Sequence, residues 1–204
     1  MKLYYMPGAC SLAPHIALRE AGLPFDLEKV DGASKKTQGG EDYLTINSKG
    51  AVPAIKLDDG QVLTEGAAIQ QYIADKAPGK KLAPAAGTIE RYRLQEWLNY
   101  VASEVHKGIG QLFNKQMPDD FKEIVKKGLA AKQFPFLEKA LAGRDYLMGE
   151  FTVVDGYLFT VLNWTKMHNI DLSGFPNISA FMKRVAARPA VQEAMKAEGL
   201  LKAA

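Results

Sequence analysis

Ten residues divide this chain: Pro78-Gly-Lys-Lys-Leu-Ala-Pro-Ala-Ala-Gly87 breaks every hydrophobic period, because proline and glycine each interrupt helix and strand. The apolar pattern differs in kind on the two sides. Before it, short apolar runs alternate with helical stretches, whereas after it the 3.6-residue period continues almost to the end. The spacing therefore predicts two domains, 1–80 with mixed α/β character and 87–204 all-helical, joined by a linker over 78–87.

The first half opens on a strand at Lys2–Tyr5, followed by the turn Met6-Pro-Gly-Ala9 and a helix starting near Ser11 whose apolar face is Leu12, Ala13, Ile16, Ala17 and Leu18. The helix closes at Gly22-Leu-Pro24. A second strand over 25–30 leads into the polar loop 31–40 and a short helix over 41–46. Residues 53–57 and 61–64 then read as a hairpin around Asp58-Asp-Gly60, since Asp-Gly supplies the positive φ values of a tight turn. A helix from Glu65 to about Ala77 ends the half. This order, βαβαββα, is that of a thioredoxin-like domain. A proline at Val52-Pro53, starting the third strand, is where that fold carries a cis peptide, although a trans proline at a strand start is the commoner arrangement.

In the second half the predicted helices cover about 88–116, 119–142, 153–169, 177–187 and 189–198. Thr152 and Asp155 have the spacing of a capping box at the start of the third.

The single cysteine, Cys10, stands where the first strand turns into the first helix. Unpaired N–H groups and the positive end of the helix dipole favour a thiolate there; the alternative is a small buried hydrophobe. Cys10-Ser-Leu-Ala13 has no second thiol, so turnover through a Cys10 disulfide needs an outside thiol, for which glutathione is the abundant candidate. One cysteine also excludes an intrachain disulfide. His15, His106 and His168 lack metal-binding spacing, so no metal is expected. The net charge of +3, with its lysines dispersed, gives no nucleic-acid stripe. The absence of a long apolar run or leader points to a cytoplasmic protein with no membrane partner.

Ala9-Cys10-Ser11, Val52-Pro53, Thr64-Glu65-Gly66, His106-Lys107 and the Thr152…Asp155 box together resemble the bacterial beta class of the glutathione transferases, along essentially the whole chain. The resemblance implies the glutathione transferase fold, glutathione as co-substrate, a hydrophobic electrophile as second substrate and a homodimer. It implies that Ala9, Cys10, Ser11, Lys35, Val52, Pro53, Glu65, Gly66, Asn99, Ser103, Glu104, His106 and Lys107 contact glutathione, Ser103 and Glu104 doing so across the dimer. Cys10 and His106 would be catalytic, and removal of His106 would shift the pH profile. The residue chemistry agrees for Glu65-Gly66, where a helix N-terminus suits the γ-glutamyl carboxylate and the Glu65 side chain its ammonium. Lys35 is assigned to the glycyl carboxylate, with Lys36 an alternative one position away. Asn99, Ser103 and His106 fall at i, i+4 and i+7, one face of a regular helix. Phe113, Trp164 and His168 are candidates for the electrophile pocket, with Trp164 and His168 stacked one turn apart.

Three functions remain open on these residues: conjugation of the glutathione thiolate to an electrophile, glutaredoxin-like exchange of disulfides through Cys10, or ligand binding without catalysis. For a thiol, lowering the pKa from ~8.5 to ~6.5 raises the thiolate fraction at pH 7 about 25-fold, but lost nucleophilicity leaves a gain of only about two- to fourfold. Positioning, with effective molarities of ~10⁵ M and above, has more to contribute.

Overall fold

The computed structural model describes residues 1–201. It resolves into two compact units, Met1–Ala83 together with the segment from Arg188 onward, and Pro84–Ala187. The break at Ala83/Pro84 falls inside the predicted linker. The last helix, grouped by sequence with the second domain, instead belongs to the first unit; residues 202–204 of the predicted 87–204 domain lie outside the described residues.

In the first unit the elements are β1 (Lys2–Tyr5), α1 (Leu12–Ala21), β2 (Asp26–Lys29), α2 (Tyr43–Ile46), β3 (Ala54–Lys56), β4 (Val62–Thr64) and α3 (Gly66–Lys76). The sheet order is β2-β1-β3-β4. β1 runs parallel to β2, Leu3 opposite Leu27, and antiparallel to β3, Leu3 opposite Ile55. The hairpin β3-β4 turns at Gly60, whose φ of +86° only glycine adopts readily. Successive strand residues point to opposite faces. Tyr4 and Ala54 accordingly meet Val30, Tyr43 and Val52 on the α2 side, which leaves Leu3 and Ile55, both fully buried, for the face covered by α1 and α3.

The second unit contains α4 (Ile89–Tyr100), α5 (Lys107–Gly110), α6 (Asp119–Ala131), α7 (Gln133–Leu141), α8 (Val153–Met167) and α9 (Pro176–Ala186). Two predicted helices are interrupted. The stretch predicted at 88–116 passes through a π-helical segment, Val101–His106, between α4 and α5, and ends in a 3₁₀ turn at Gln111–Phe113. The stretch predicted at 119–142 breaks at Lys132, because Pro135 lacks an N–H and its ring would collide with the carbonyl four residues back in a continuous helix. α8, nearly all buried, is the central element. Its capping box is present: the Asp155 carboxylate accepts from the Thr152 N–H at 2.8 Å, the Thr152 hydroxyl at 3.1 Å and the Leu147 N–H at 2.9 Å.

Beyond the second unit, α10 (Pro189–Ala197) packs on α1. Arg188 fixes the entry to it by gripping Glu20 at 2.6 and 2.9 Å, a two-point guanidinium–carboxylate pair.

Candidate active site

Cys10 is a half-buried thiol, not part of a disulfide, whose S–H donates to the Val52 carbonyl at 3.2 Å. The thiol is thus partly accessible and held on a backbone carbonyl. Ala9 forms the preceding turn, its N–H on the Met6 carbonyl at 3.1 Å. Val52-Pro53 is cis, and both residues are buried.

Ser11 does not present its side chain to solvent. It is completely buried, and its hydroxyl accepts from the Met6 N–H and donates to the Met6 carbonyl, each at 3.2 Å. The hydroxyl ties both polar groups of Met6, so the Ser11 side chain shapes the Cys10 loop from within.

Lys35 adopts left-handed backbone angles (φ +55°), and its Nζ donates to the Gly50 carbonyl at 2.9 Å. Lys36 instead pairs its backbone with Asp42 and lines a shallow polar depression with Lys29, Asp31 and Gln38. Of the two lysines, Lys35 shares the 50–52 segment with the Cys10 thiol. Glu65, at φ +70° and ψ 115°, immediately precedes Gly66 at the start of α3 and does not cap that helix. Such a conformation costs a residue with a Cβ about 1–3 kcal/mol and is found mainly where function requires it. The Glu65 carboxylate is paired with the Lys49 ammonium, which also donates to the Thr64 hydroxyl at 3.0 Å.

The loop carrying Cys10 is also held from α10's end. Glu198, with its side chain fully buried, accepts from the Gly8 N–H at 2.9 Å and bonds His15 Nδ1 at 2.8 Å. Arg19 Nε donates to His15 Nε2 at 2.9 Å, so the His15 proton sits on Nδ1 and points at Glu198.

In the second unit the predicted common face of Asn99, Ser103 and His106 is split. Asn99 and Ser103 are exposed, while His106 turns inward, its Nδ1 2.7 Å from the Tyr157 hydroxyl of α8. The π-helical segment is the cause, because its wider turn changes the angular spacing on which the i+7 reading relied. Glu104 faces Lys132 and Gln133, and Lys107 is exposed. The rings of His106 and Trp164 meet edge-on at 5.0 Å. Phe113 lies edge-on to Trp164 at 5.4 Å and to His168 at 4.4 Å. Phe113 thus lies against both Trp164 and His168; His168 is the C-cap of α8, and its N–H still reaches the Trp164 carbonyl at 3.3 Å. Trp164 is buried and Phe113 exposed. His168 Nε2 is buried without a hydrogen-bond partner among the described residues.

Burial, with a smaller push from the Lys107 charge, lowers the His106 pKa from 6.5 to about 4. With its pKa lowered to about 4, His106 is neutral at pH 7, and the shift in pH profile expected on its removal would lie on the acid side. In stability the sign is fixed by linkage. The unfolded chain takes up the proton near pH 6.5 and the folded protein only near 4, so the contribution is complete above 6.5 and falls away towards 4, by on the order of 3 kcal/mol in all. Urea midpoints measured between pH 7 and 4.5 should fall less steeply for His106→Gln than for the parent; equal slopes would contradict the assignment.

Two family models cover most of the chain: "Glutathione S-transferase, N-terminal domain" over residues 8–76 and "Glutathione S-transferase, C-terminal domain" over residues 93–189. The chain belongs to the glutathione S-transferase family. It is 48% identical over 201 residues to the glutathione S-transferase GstA of Escherichia coli O157:H7, covering 98% of this chain and all of that one. Two solved structures match at 48% identity and a TM-score of 0.95, again over 98% of this chain and all of theirs: a sphingomonad glutathione S-transferase complexed with glutathione, and the beta-class enzyme of Sphingomonas chungbukensis. The fold and the beta-class resemblance are thereby established for this transferase.

Sequence reasoning missed several residues of this glutathione S-transferase. Tyr157, Lys49, His15 and Glu198 are ordinary in composition and carry no local pattern. Cys10 and Glu65, by contrast, had usable sequence signals: the strand-to-helix turn for one, the place directly before a helix-opening glycine for the other.

Proposed function

We propose that this chain conjugates the glutathione thiolate to electrophilic small molecules. The observation that carries the reading is the Cys10 thiol seated on the Val52 carbonyl, with Lys35 bonded to the same segment at Gly50 and Glu65 held at the start of α3. These groups suit a tripeptide with a central thiol and charged ends. Lys35 takes the glycyl carboxylate, Val52 the cysteinyl backbone, and Glu65 with the N–H groups of α3 the γ-glutamyl end. With glutathione so placed, its sulfur attacks an electrophilic carbon, a carbon–sulfur bond forms and halide departs with the bonding pair.

A second reading has an observation of its own. The Cys10 sulfur is partly exposed, and a thiol there can attack a glutathione mixed disulfide. The substrate thiol leaves, Cys10 becomes glutathionylated, and a second glutathione restores it while glutathione disulfide departs. Ala13 supplies no resolving thiol, so the second glutathione is obligatory.

The assignments of Asn99, Ser103, Glu104, His106 and Lys107 to glutathione, of Phe113, Trp164 and His168 to a hydrophobic electrophile and of a homodimer rest on the family resemblance, and the cytoplasmic location on the sequence. No helix of the described residues is long and apolar enough to cross a membrane, and no cluster of them could hold a metal ion.

Retention on immobilised glutathione, then turnover of a chromogenic aryl halide, tests the main reading, and turnover of a glutathione mixed disulfide tests the second. Binding without either turnover would leave a carrier protein. Glu65→Gln, which keeps size and removes charge, is expected to weaken glutathione binding about tenfold; unchanged affinity in calorimetry would remove Glu65 from the site.

A further inference from the structure

Lys49 and Glu65 present a cation and an anion side by side at the start of α3. Their side chains are 53% and 70% exposed, and an ion pair so open to water contributes little to folding. Yet Glu65 is held in a strained backbone conformation (φ +70°), and its carboxylate caps nothing. Stability does not explain the arrangement.

Gly66 adds a second observation. Its backbone is not left-handed, and a Cβ built there would meet only Pro53 Cγ at 3.8 Å and Gln70 Nε2 at 3.9 Å, ordinary contact distances. A side chain with a hydroxyl would fit, so the glycine is not imposed by crowding. The result is that the first residue of α3 offers an anion its N–H alone. A cation stands beside it in Lys49, tied to both residues before Gly66: Thr64 through its hydroxyl and Glu65 through its carboxylate.

An adjacent anion and cation match one ligand chemistry well, the zwitterionic α-amino acid head, whose ammonium and carboxylate share one carbon. The free γ-glutamyl end of glutathione is such a head. We propose that Lys49 is a specificity-determining residue for that end, holding its α-carboxylate beside the Gly66 N–H while Glu65 exchanges Lys49 for the α-ammonium. The inference rests on the glutathione reading above. Lys49 neutralises Glu65 in the free protein and moves onto the ligand carboxylate when glutathione binds, so the pair opens around the zwitterion without leaving either charge alone.

The test is calorimetric titration of the intact protein and its Lys49→Met and Lys49→Arg variants with two probes. One is S-methylglutathione; the other is the same tripeptide with 4-aminobutyrate replacing the γ-glutamyl residue, so that only the α-carboxylate is missing. Lys49→Met should weaken S-methylglutathione about tenfold and change the decarboxy probe less than twofold, and Lys49→Arg should restore most of the loss. Equal weakening of both probes would overturn the proposal in favour of a structural role. Tighter binding by Lys49→Met would overturn it in the other direction, showing a lysine that merely competes for Glu65. Failure of the parent protein to bind S-methylglutathione would instead remove the glutathione reading, and Lys49's role with it.

Discussion

Asp155→Ala should lower unfolding stability by about 3–5 kcal/mol, the largest single effect expected from this structure. The carboxylate is fully buried and accepts from the Leu147 N–H, the Thr152 N–H and the Thr152 hydroxyl. Alanine leaves two buried backbone donors unpaired at roughly 1–3 kcal/mol each, and also removes a negative charge from the first turn of α8. Because α8 is the buried centre of the second unit, the loss cannot be confined to a fraying end. For a chain of this length it corresponds to a fall in Tm of roughly 10 °C. Asp155→Asn, which keeps the shape and one acceptor oxygen, should lose less. Thermal and urea denaturation check both, and a change below about 1 kcal/mol for the alanine variant would show that the box is dispensable.

Cys10→Ala is expected to divide the two chemistries. Disulfide exchange should fall at least about a hundredfold, to the level of free glutathione, since the chain has no other sulfhydryl to form the mixed disulfide. Conjugation should remain within about tenfold of the parent, equivalent to ~1.4 kcal/mol in the barrier, because in the proposed site Lys35, Val52 and Glu65 would still position glutathione and its own sulfur would be the nucleophile. Alanine also releases the Val52 carbonyl from its S–H donor, which leaves that acceptor open to a ligand amide. Parallel assays with the aryl halide and the mixed disulfide separate the outcomes. If both activities vanished while glutathione affinity stayed intact, Cys10 would have to take part in conjugation itself.

What the sequence revealed followed the range of the interactions concerned. The strand–helix order of the first unit, the Asp58-Asp59-Gly60 turn and the Thr152–Asp155 box are local, so spacing and turn chemistry expressed them directly. The placement of α10 was not legible, because its amphipathic period says that a face is buried but not against which partner. His15 and Glu198 are 183 positions apart, and nothing in the run around either one points to the other. The break at Lys132 is legible in Pro135, which a continuous helix over 119–142 does not accommodate. The π-helical segment at Val101–His106 had no such marker, which is why a face drawn with a regular period put His106 beside Asn99 when its ring lies against Tyr157 and Trp164. The lysine ambiguity at 35 and 36 came from a loop whose course depends on the Asp31 carboxylate, which binds the N–H groups of Ala33 and Ser34.

The bond from the Gly8 N–H to Glu198 spans 190 positions, and it gives the Cys10 turn a place in time as well as in space. At ~5–20 residues per second, a ribosome adds Glu198 about 10 to 40 s after Gly8. Until then the growing polypeptide carries its only thiol on a turn whose buried anchor has not yet been made. The turn that carries Cys10 thus waits for a residue made 190 positions later before it acquires its final support.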